Sequence, residues 1–199
     1  MPAAKILVFS GSIRSGSFNS RLAALAAKQF ALAGAEVSHI SLGDYSMPLY
    51  DANLEQKSGP PEDAVKLKQM MSLHQGIFIA SPEYNASVTP LLKNTIDWIS
   101  RVRGAREAPL AVFKTRVFAL GAASDGPYGG MRSLMALRQV LELGCGALVI
   151  PEQVSIRGAS QAFDEQDNLK DERTAGLLQA TVNRLIDVAR QLAREARDT

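Results

Sequence analysis

Apolar positions along this chain follow two alternating rhythms. Short unbroken apolar runs lie within residues 4–10, 76–80, 116–120 and 147–150. Runs that short suit strands buried on both faces of a parallel sheet. Residues 36–41 alternate instead and read as one more strand, second in order. Between these runs the period becomes helical. Leu22, Leu25, Ala26 and Phe30 predict a helix over 18–33, stopped by Gly34. A second helix is expected over 61–73, with Pro61 in its first turn. A third starts near Thr89 and Pro90 and carries Leu92, Ile96 and Ile99 on one face. Arg101 and Arg103 fall at its carboxyl end, where the helix dipole favours cations. Leu134, Leu137 and Leu141 mark a fourth helix. Leu178, Val182, Leu185, Ala189 and Leu192 form the stripe of a last one over about 171–197.

This β-α alternation predicts one α/β domain over residues 1–199. Its expected architecture is a doubly wound five-stranded parallel sheet with helices on both faces. Strand 5 is expected to close at Pro151, and residues 153–168 read as loop. Residues 42–61 have no period and contain Gly43, Pro48, Gly59, Pro60 and Pro61. Unstructured stretches of that length are usually functional. The apolar centre at 47–50 reads either as a loop packed on its own domain or as a subunit contact.

In doubly wound sheets, ligands sit beyond the carboxyl ends of the strands. Three polar loops fall there. The first runs Gly11-Ser-Ile-Arg-Ser-Gly-Ser-Phe-Asn19. Amides of a glycine loop and the positive end of the next helix form an anion site. Ser12, Ser15, Ser17 and Asn19 add short donors, and Arg14 adds a fork that matches a phosphate monoester. No Lys follows Gly16 and a third glycine is missing, so neither the P-loop nor the dinucleotide fingerprint is present. The loop suits a terminal phosphate better than a pyrophosphate. Ser17 or Asn19 also reads as a helix cap, which leaves Arg14 without a purpose.

The second loop, Ser81-Pro82-Glu83-Tyr84-Asn85, offers an aromatic and an amide to a flat heterocycle. The third, residues 121–130, carries Ser124, Gly126, Gly129 and Gly130. Its glycines allow close backbone approach to a ligand. One phosphate plus one planar ring system describes FMN. Taken singly, Tyr84 reads as an edge aromatic, Glu83 as a solvated charge and the glycines as turns.

Composition narrows the classes. A chain of 199 residues that is 46% hydrophobic builds one domain with a sizeable core. A formal charge of +2 makes no electrostatic case for nucleic acid. A lone Cys145 excludes both a disulfide framework and a cysteine metal cluster. His39 and His74 read as surface or edge histidines. No signal-peptide pattern is present, and no apolar run approaches the roughly 20 residues that span a bilayer. A soluble cytoplasmic protein without a membrane partner is the expectation.

The residues of these loops bring a family into view. The sequence resembles the NADPH-dependent FMN reductase family, which includes flavin, quinone, chromate and azo-dye reductases, over nearly its whole length. The first loop is similar to the family's phosphate loop. Leu49-Tyr50-Asp51 after Pro48 resembles another of its segments. Ser81-Pro-Glu-Tyr-Asn85 followed by Leu92-Lys-Asn-Thr-Ile-Asp-Trp98 resembles its most specific signature, and Ser124 with Gly129-Gly130 its third flavin loop. One departure is Thr89-Pro90, where the family usually has Pro-Gly. The resemblance implies a flavodoxin-like fold and tightly bound, non-covalent FMN. Ser12, Arg14, Ser17 and Asn19 would hold its phosphate. Pro82, Glu83, Tyr84 and Asn85 would border the isoalloxazine, mainly through backbone groups, with Ser124 on the other side. Asp97 and Trp98 would pack the helix.

By the same resemblance, hydride passes from NAD(P)H through FMN to quinones, free flavin, azo dyes or metal oxyanions in a ping-pong scheme. The flavin carries that chemistry, so no catalytic side chain and no metal is expected. Family members are dimers or tetramers, which implies a homodimer or homotetramer. A non-enzymatic flavodoxin-type electron carrier shares fold and cofactor. Such carriers dock through strongly charged surfaces, which a +2 balance disfavours. No motif places an arginine on a 2′-phosphate, so the sequence admits NADPH and NADH alike.

Overall fold

Five parallel strands form the frame of the computed structural model, which describes residues 3–198. They are β1 (Lys5–Ser10), β2 (Glu36–Ser41), β3 (Gly76–Ala80), β4 (Val117–Ala123) and β5 (Leu148–Ile156), in the order β2-β1-β3-β4-β5. That is the flavodoxin-like order, with its switch point between β1 and β3. The helices are α1 (Phe18–Leu32), α2 (Ala52–Ser58), α3 (Glu62–Ser72), α4 (Pro90–Arg101), α5 (Ala111–Lys114), α6 (Met131–Arg138), α7 (Ala159–Ala162) and α8 (Glu172–Asp198).

The period-2 geometry of a strand divides its side chains between two cores. Ile6 and Val8 of β1 face α1 and α8, where they meet Leu22, Phe30, Val182 and Leu185. Leu7 and Phe9 face the other way, toward Leu67 of α3, Leu92 and Ile96 of α4 and Leu134 of α6. β1, β3 and β4 are buried on both faces, apart from Lys5 at the first position of β1. The edge strand β2 is half exposed, as its alternation required. Among the described residues no helix is long and apolar enough to cross a membrane.

The structure corrects four sequence expectations. β5 does not close at Pro151 but runs on to Ile156. The β4–β5 register jumps there: Phe118 pairs with Val149, and Leu120 pairs with Gln153. Proline has no N–H to give a ladder, so it is tolerated where the ladder is already interrupted. The Arg138 guanidinium takes up the carbonyls freed by the jump, with Nη2 2.7 Å from the oxygen of Ile150 and 3.3 Å from that of Pro151. Second, the stretch 153–168 is therefore part strand, and it also holds the single turn α7. Third, residues 42–61 hold a 3-10 turn (Leu42–Asp44) and α2, which Asp51 caps through the amides of Asn53 and Leu54.

Fourth, His74 is a buried histidine rather than a surface one, 5% exposed. Its Nδ1 lies 2.7 Å from the Met70 carbonyl, an acceptor only, and its Nε2 lies 2.8 Å from the Ser38 hydroxyl. The neutral ring satisfies both contacts, donating to one and accepting from the other. Burial holds its pKa below 6.5, and nearby Lys5 and Arg116 act in the same direction, against the pull of the Met70 carbonyl. The folded state thus binds the proton less readily than the unfolded chain. This contribution to stability is complete above pH 6.5 and is lost as the pH falls through the lowered folded value. His74→Gln should flatten the fall of the urea midpoint between roughly pH 6.5 and 5. An unchanged slope in that window would show that His74 does not carry it.

Candidate functional site

β1 ends beneath the start of α4. A Cβ on Gly11 would lie 3.1 Å from Leu92 Cδ2 and 3.2 Å from Pro82 Cδ, so the strand leaves the sheet through a gap that suits glycine. The chain then climbs in short steps. The Ser12 amide donates to Ser10 Oγ and the Arg14 amide to Ser12 Oγ. Gly16 turns the chain at φ +67° into Ser17, whose Oγ caps α1 by accepting from the Ser20 amide at 3.4 Å. The amides of Phe18 and Asn19 have no acceptor among the described residues. No acidic side chain stands in the first turn of α1 to neutralise its positive end. The exposed Arg14 guanidinium lies over the Ser15 and Gly16 carbonyls at 3.4 and 3.5 Å, the outer limit of hydrogen bonding. Ser12, Arg14 and these amides form an open cradle with the polarity an anion requires.

Asn19 points elsewhere. Its Nδ2 donates to the Ala123 carbonyl at 2.8 Å, and its Oδ1 accepts from the Ala123 amide at 3.0 Å. The side chain is occupied in joining the first loop to the third. What Asn19 offers the cradle is its backbone amide. Ser17 is likewise buried, with its hydroxyl oxygen used as a cap.

After β3, the Ser81 amide donates to the Gly121 carbonyl at 2.7 Å, and Pro82 is buried. Tyr84 and Ser87 exchange two backbone hydrogen bonds of 3.0 Å around Asn85 and Ala86. Both central residues have positive φ, +50° and +61°. This is a type I′ hairpin turn. Asparagine tolerates that region, whereas alanine costs about 1–2 kcal/mol there. The turn projects Tyr84, which is 52% exposed. The amides of Glu83 and Asn85 are without acceptors among the described residues.

The Glu83 carboxylate is not a solvated charge. Its side chain is 8% exposed and is gripped by Arg132 of α6. Arg132 Nε donates to it at 2.6 Å, the Arg132 amide donates at 3.1 Å, and Nη2 is also in contact. The same guanidinium lies 4.8 Å from the centre of the Tyr128 ring.

The third loop is fastened from both sides. Ser124 donates its amide to the Ile156 carbonyl and accepts the Gly126 amide on its Oγ. Gly130 has φ +84°, and a Cβ there would lie 2.5 Å from that of Ala122. Ser133 Oγ sits 3.1 Å from the Ser81 carbonyl and 2.9 Å from that of Gly130. Thr89 completes the set: its hydroxyl donates to the Gly11 carbonyl at 2.8 Å and accepts from the Leu92 amide, capping α4. Every pair of loops is thus joined, the first and second by Thr89, the first and third by Asn19, and the second and third by Glu83, Arg132 and Ser133.

Residues 48–51 are held on α4. The Pro48 carbonyl accepts from Trp98 Nε1 and Asn94 Nδ2, while the Tyr50 amide donates to Asn94 Oδ1. The Tyr50 and Trp98 rings meet edge to face at 5.0 Å. Trp98 is fully buried and Asp97 pairs with Lys93, both structural duties. Arg101, expected only to favour the helix end, also pairs with Glu55. Cys145 is buried, and burial pushes its thiol up to about 11, so it presents no thiolate. Among the described residues no group of acidic, histidine or cysteine side chains suits a metal.

Sequence reasoning missed Thr89, Arg132 and Ser133 as parts of the site. Arg132 carried a usable signal: a cation in the first turn of a helix opposes the dipole and needs a partner. Thr89 showed as the start of a helix and as the departure from the family's pattern, though not as a bond to the first loop, and Ser133 carried no signal.

A flavodoxin-like sheet with an anion cradle of free amides at the carboxyl ends of its strands suits a phosphate-bearing ligand. The sequence profile described as NADPH-dependent FMN reductase matches residues 4–161, and the chain belongs to that family of oxidoreductases. An NAD(P)H-dependent FMN reductase of Pseudomonas aeruginosa is 36% identical over 183 residues, 91% of this chain and 92% of the relative. A quinone reductase of Escherichia coli K12 is 38% identical over 138 residues, 69% of each chain. The solved structure of FerB, a flavoenzyme NAD(P)H:(acceptor) oxidoreductase from Paracoccus denitrificans, superposes with a TM-score of 0.77 at 26% identity, covering 95% of this chain and 98% of FerB.

The clamp at Asn19 gives a direct test. Asn19→Ala strips two buried backbone groups of Ala123 of their partners. Each unsatisfied group costs about 1–3 kcal/mol, so urea unfolding should show a loss of about 2–6 kcal/mol. A loss within experimental error would mean that water replaces the amide at no cost.

Proposed function

We propose that this chain is an FMN-dependent NAD(P)H oxidoreductase that reduces quinones, and with them free flavin, azo dyes or metal oxyanions, at a single flavin face. The observation that carries this reading is the closed set of three loops around an anion cradle with unpaired amides. The P. aeruginosa and E. coli relatives, named FMN reductase and quinone reductase, support the choice of donor and acceptor. FMN held in this cradle would supply the redox chemistry, a relay of hydride between nicotinamide and acceptor.

The residues of the chain bind, orient and cover. Ser12, Arg14, Ser17 and the first-turn amides of α1, including that of Asn19, hold the phosphate dianion. Pro82 and the amides of Glu83 and Asn85 border the ring on one side, and Ser124 borders it on the other. The Glu83–Arg132 pair fixes the level of that shelf, while Tyr84 stands at the mouth of the site. Cys145, with its raised pKa, and the neutral, buried His74 take no part in proton transfer. Leu49, 80% exposed on a segment fastened to α4, fits a subunit contact in a dimer or tetramer.

Two predictions follow from these roles. A charge-assisted fork is worth about 1.5–3 kcal/mol. Arg14→Ala should therefore weaken FMN binding about tenfold or more in equilibrium dialysis while changing riboflavin binding much less. Equal losses for both ligands would remove Arg14 from the phosphate. In steady-state kinetics, varied NADPH at several quinone concentrations should give parallel double-reciprocal lines, the mark of alternate use of one site. Protein reduced with NADPH and freed of nucleotide should then reduce quinone in a single turnover. Intersecting lines, with reduced protein inert until nucleotide returns, would require both substrates to bind together.

A further inference from the structure

On the far side of the third loop lies a cleft of about 640 Å³, between the end of β5, α7 and the first turns of α8. The Ser155 hydroxyl, in the cleft lining, lies 3.1 Å from the carbonyls of both Tyr128 and Gly129. The Ser124 carbonyl accepts from the Ala159 amide, and Asp125 Oδ1 accepts from the Ser160 amide at 2.7 Å. The loop that borders the flavin on one face is thus bonded on the other to the walls of this cleft.

Three cations line the cleft, Arg157, Lys170 and Arg173, against one carboxylate, Asp171. None of the three is within salt-bridge distance of an acid among the described residues. Asp171 is already engaged: its Oδ2 accepts from the Thr174 amide at 2.8 Å and from the Thr174 hydroxyl at 2.5 Å. Its pKa is lowered, first by those Thr174 bonds and then by Arg173 and Arg157. The stem of Arg157 is set by the third loop itself, since a Cβ on Gly129 would lie 2.9 Å from Arg157 Cγ.

The geometry points to a second anion subsite here: Arg157, Lys170 and Arg173 receive the 2′-phosphate of NADPH and give the protein its preference for NADPH over NADH. This rests on the oxidoreductase reading above. There the first loop is consumed by the phosphate of FMN, so it cannot serve the reductant. A dinucleotide laid with its nicotinamide on the flavin ring still has a diphosphate and an adenosine to place beyond it. The third loop borders the proposed ring position, and Arg157 stands against that loop, its Cγ 2.9 Å from where a Cβ on Gly129 would lie. Two guanidinium forks and an ammonium suit a phosphate monoester. Residues from β5 and from the entry to α8 meet only in the fold, so no contiguous motif carries them.

The test uses the FMN-loaded protein and the combined variant Arg157→Ala, Lys170→Ala, Arg173→Ala. In the wild type, NADPH should have the lower KM. In the variant, KM for NADPH should rise tenfold or more with kcat little changed, while KM for NADH and the FMN content stay the same. Calorimetry should show 2′,5′-ADP binding the wild type more tightly than 5′-AMP, and that difference should vanish in the variant. Equal changes for NADPH and NADH, or an unchanged 2′,5′-ADP preference, would overturn the subsite alone. Flavin bleached by neither nucleotide would overturn the oxidoreductase reading, and the subsite with it.

Discussion

The side-chain amide of Asn19 stands in for a missing strand. β3 ends at Ala80, opposite Gly121, while β4 continues to Ala123. Beyond Gly121 the backbone of β4 has no strand on its β3 side. Buried N–H and C=O groups must find partners, and the amide of Asn19 has the donor and acceptor of a peptide unit. It closes both bonds at Ala123 while sitting in the first turn of α1. The same contact therefore ends the sheet and sets the anion cradle at a fixed distance from the third loop. Thr89 and Glu83 complete the arrangement at the other two boundaries.

A similar substitution supports the outer edge of the site. Where β4 and β5 fall out of register around Pro151, Arg138 collects the carbonyls that lose their ladder partners. The strand resumes with Gln153, so Ser155 and Ile156 arrive beneath the third loop. Without that resumption, Ser124 would lose the Ile156 carbonyl that anchors it. An edge strand tolerates such an interruption because only one neighbour has to be matched.

This explains which parts of the protein were legible in its sequence. The five strands, the order of elements and the two-sided core depend on local periodicity, which a single chain displays. The first loop was legible because Gly11, Arg14, Gly16 and the serines lie next to one another. The continuation past Pro151 was not, since it depends on Arg138, distant in sequence, compensating a local rule. The direction of Asn19 was hidden for the same reason: cap, phosphate donor and clamp are the same residue type at the same position, and only the distance to Ala123 separates them. Glu83 was expected at the border of the ring, with a solvated charge as its reading taken singly, and neither reading showed its bond to Arg132. His74 was misjudged because burial is a property of the packed molecule.

The strain in the second loop bears on the proposal that one site serves two substrates. Ala86 holds a left-handed backbone that alanine disfavours, and it does so inside a two-residue hairpin closed by both Tyr84–Ser87 bonds. Strain of this kind persists only where the surroundings over-determine the conformation. Here Glu83, locked to Arg132, fixes one end, and Thr89, capping α4 and bonded to Gly11, fixes the other. The hairpin is therefore a rigid mount, and opening it would break bonds at both ends. What can move at the mouth is the half-exposed Tyr84 ring, by side-chain rotation on the picosecond-to-nanosecond scale. In the proposed alternation of substrates, a mouth bordered by one mobile ring on a rigid mount would need no lid closure between the departure of nicotinamide and the arrival of an acceptor.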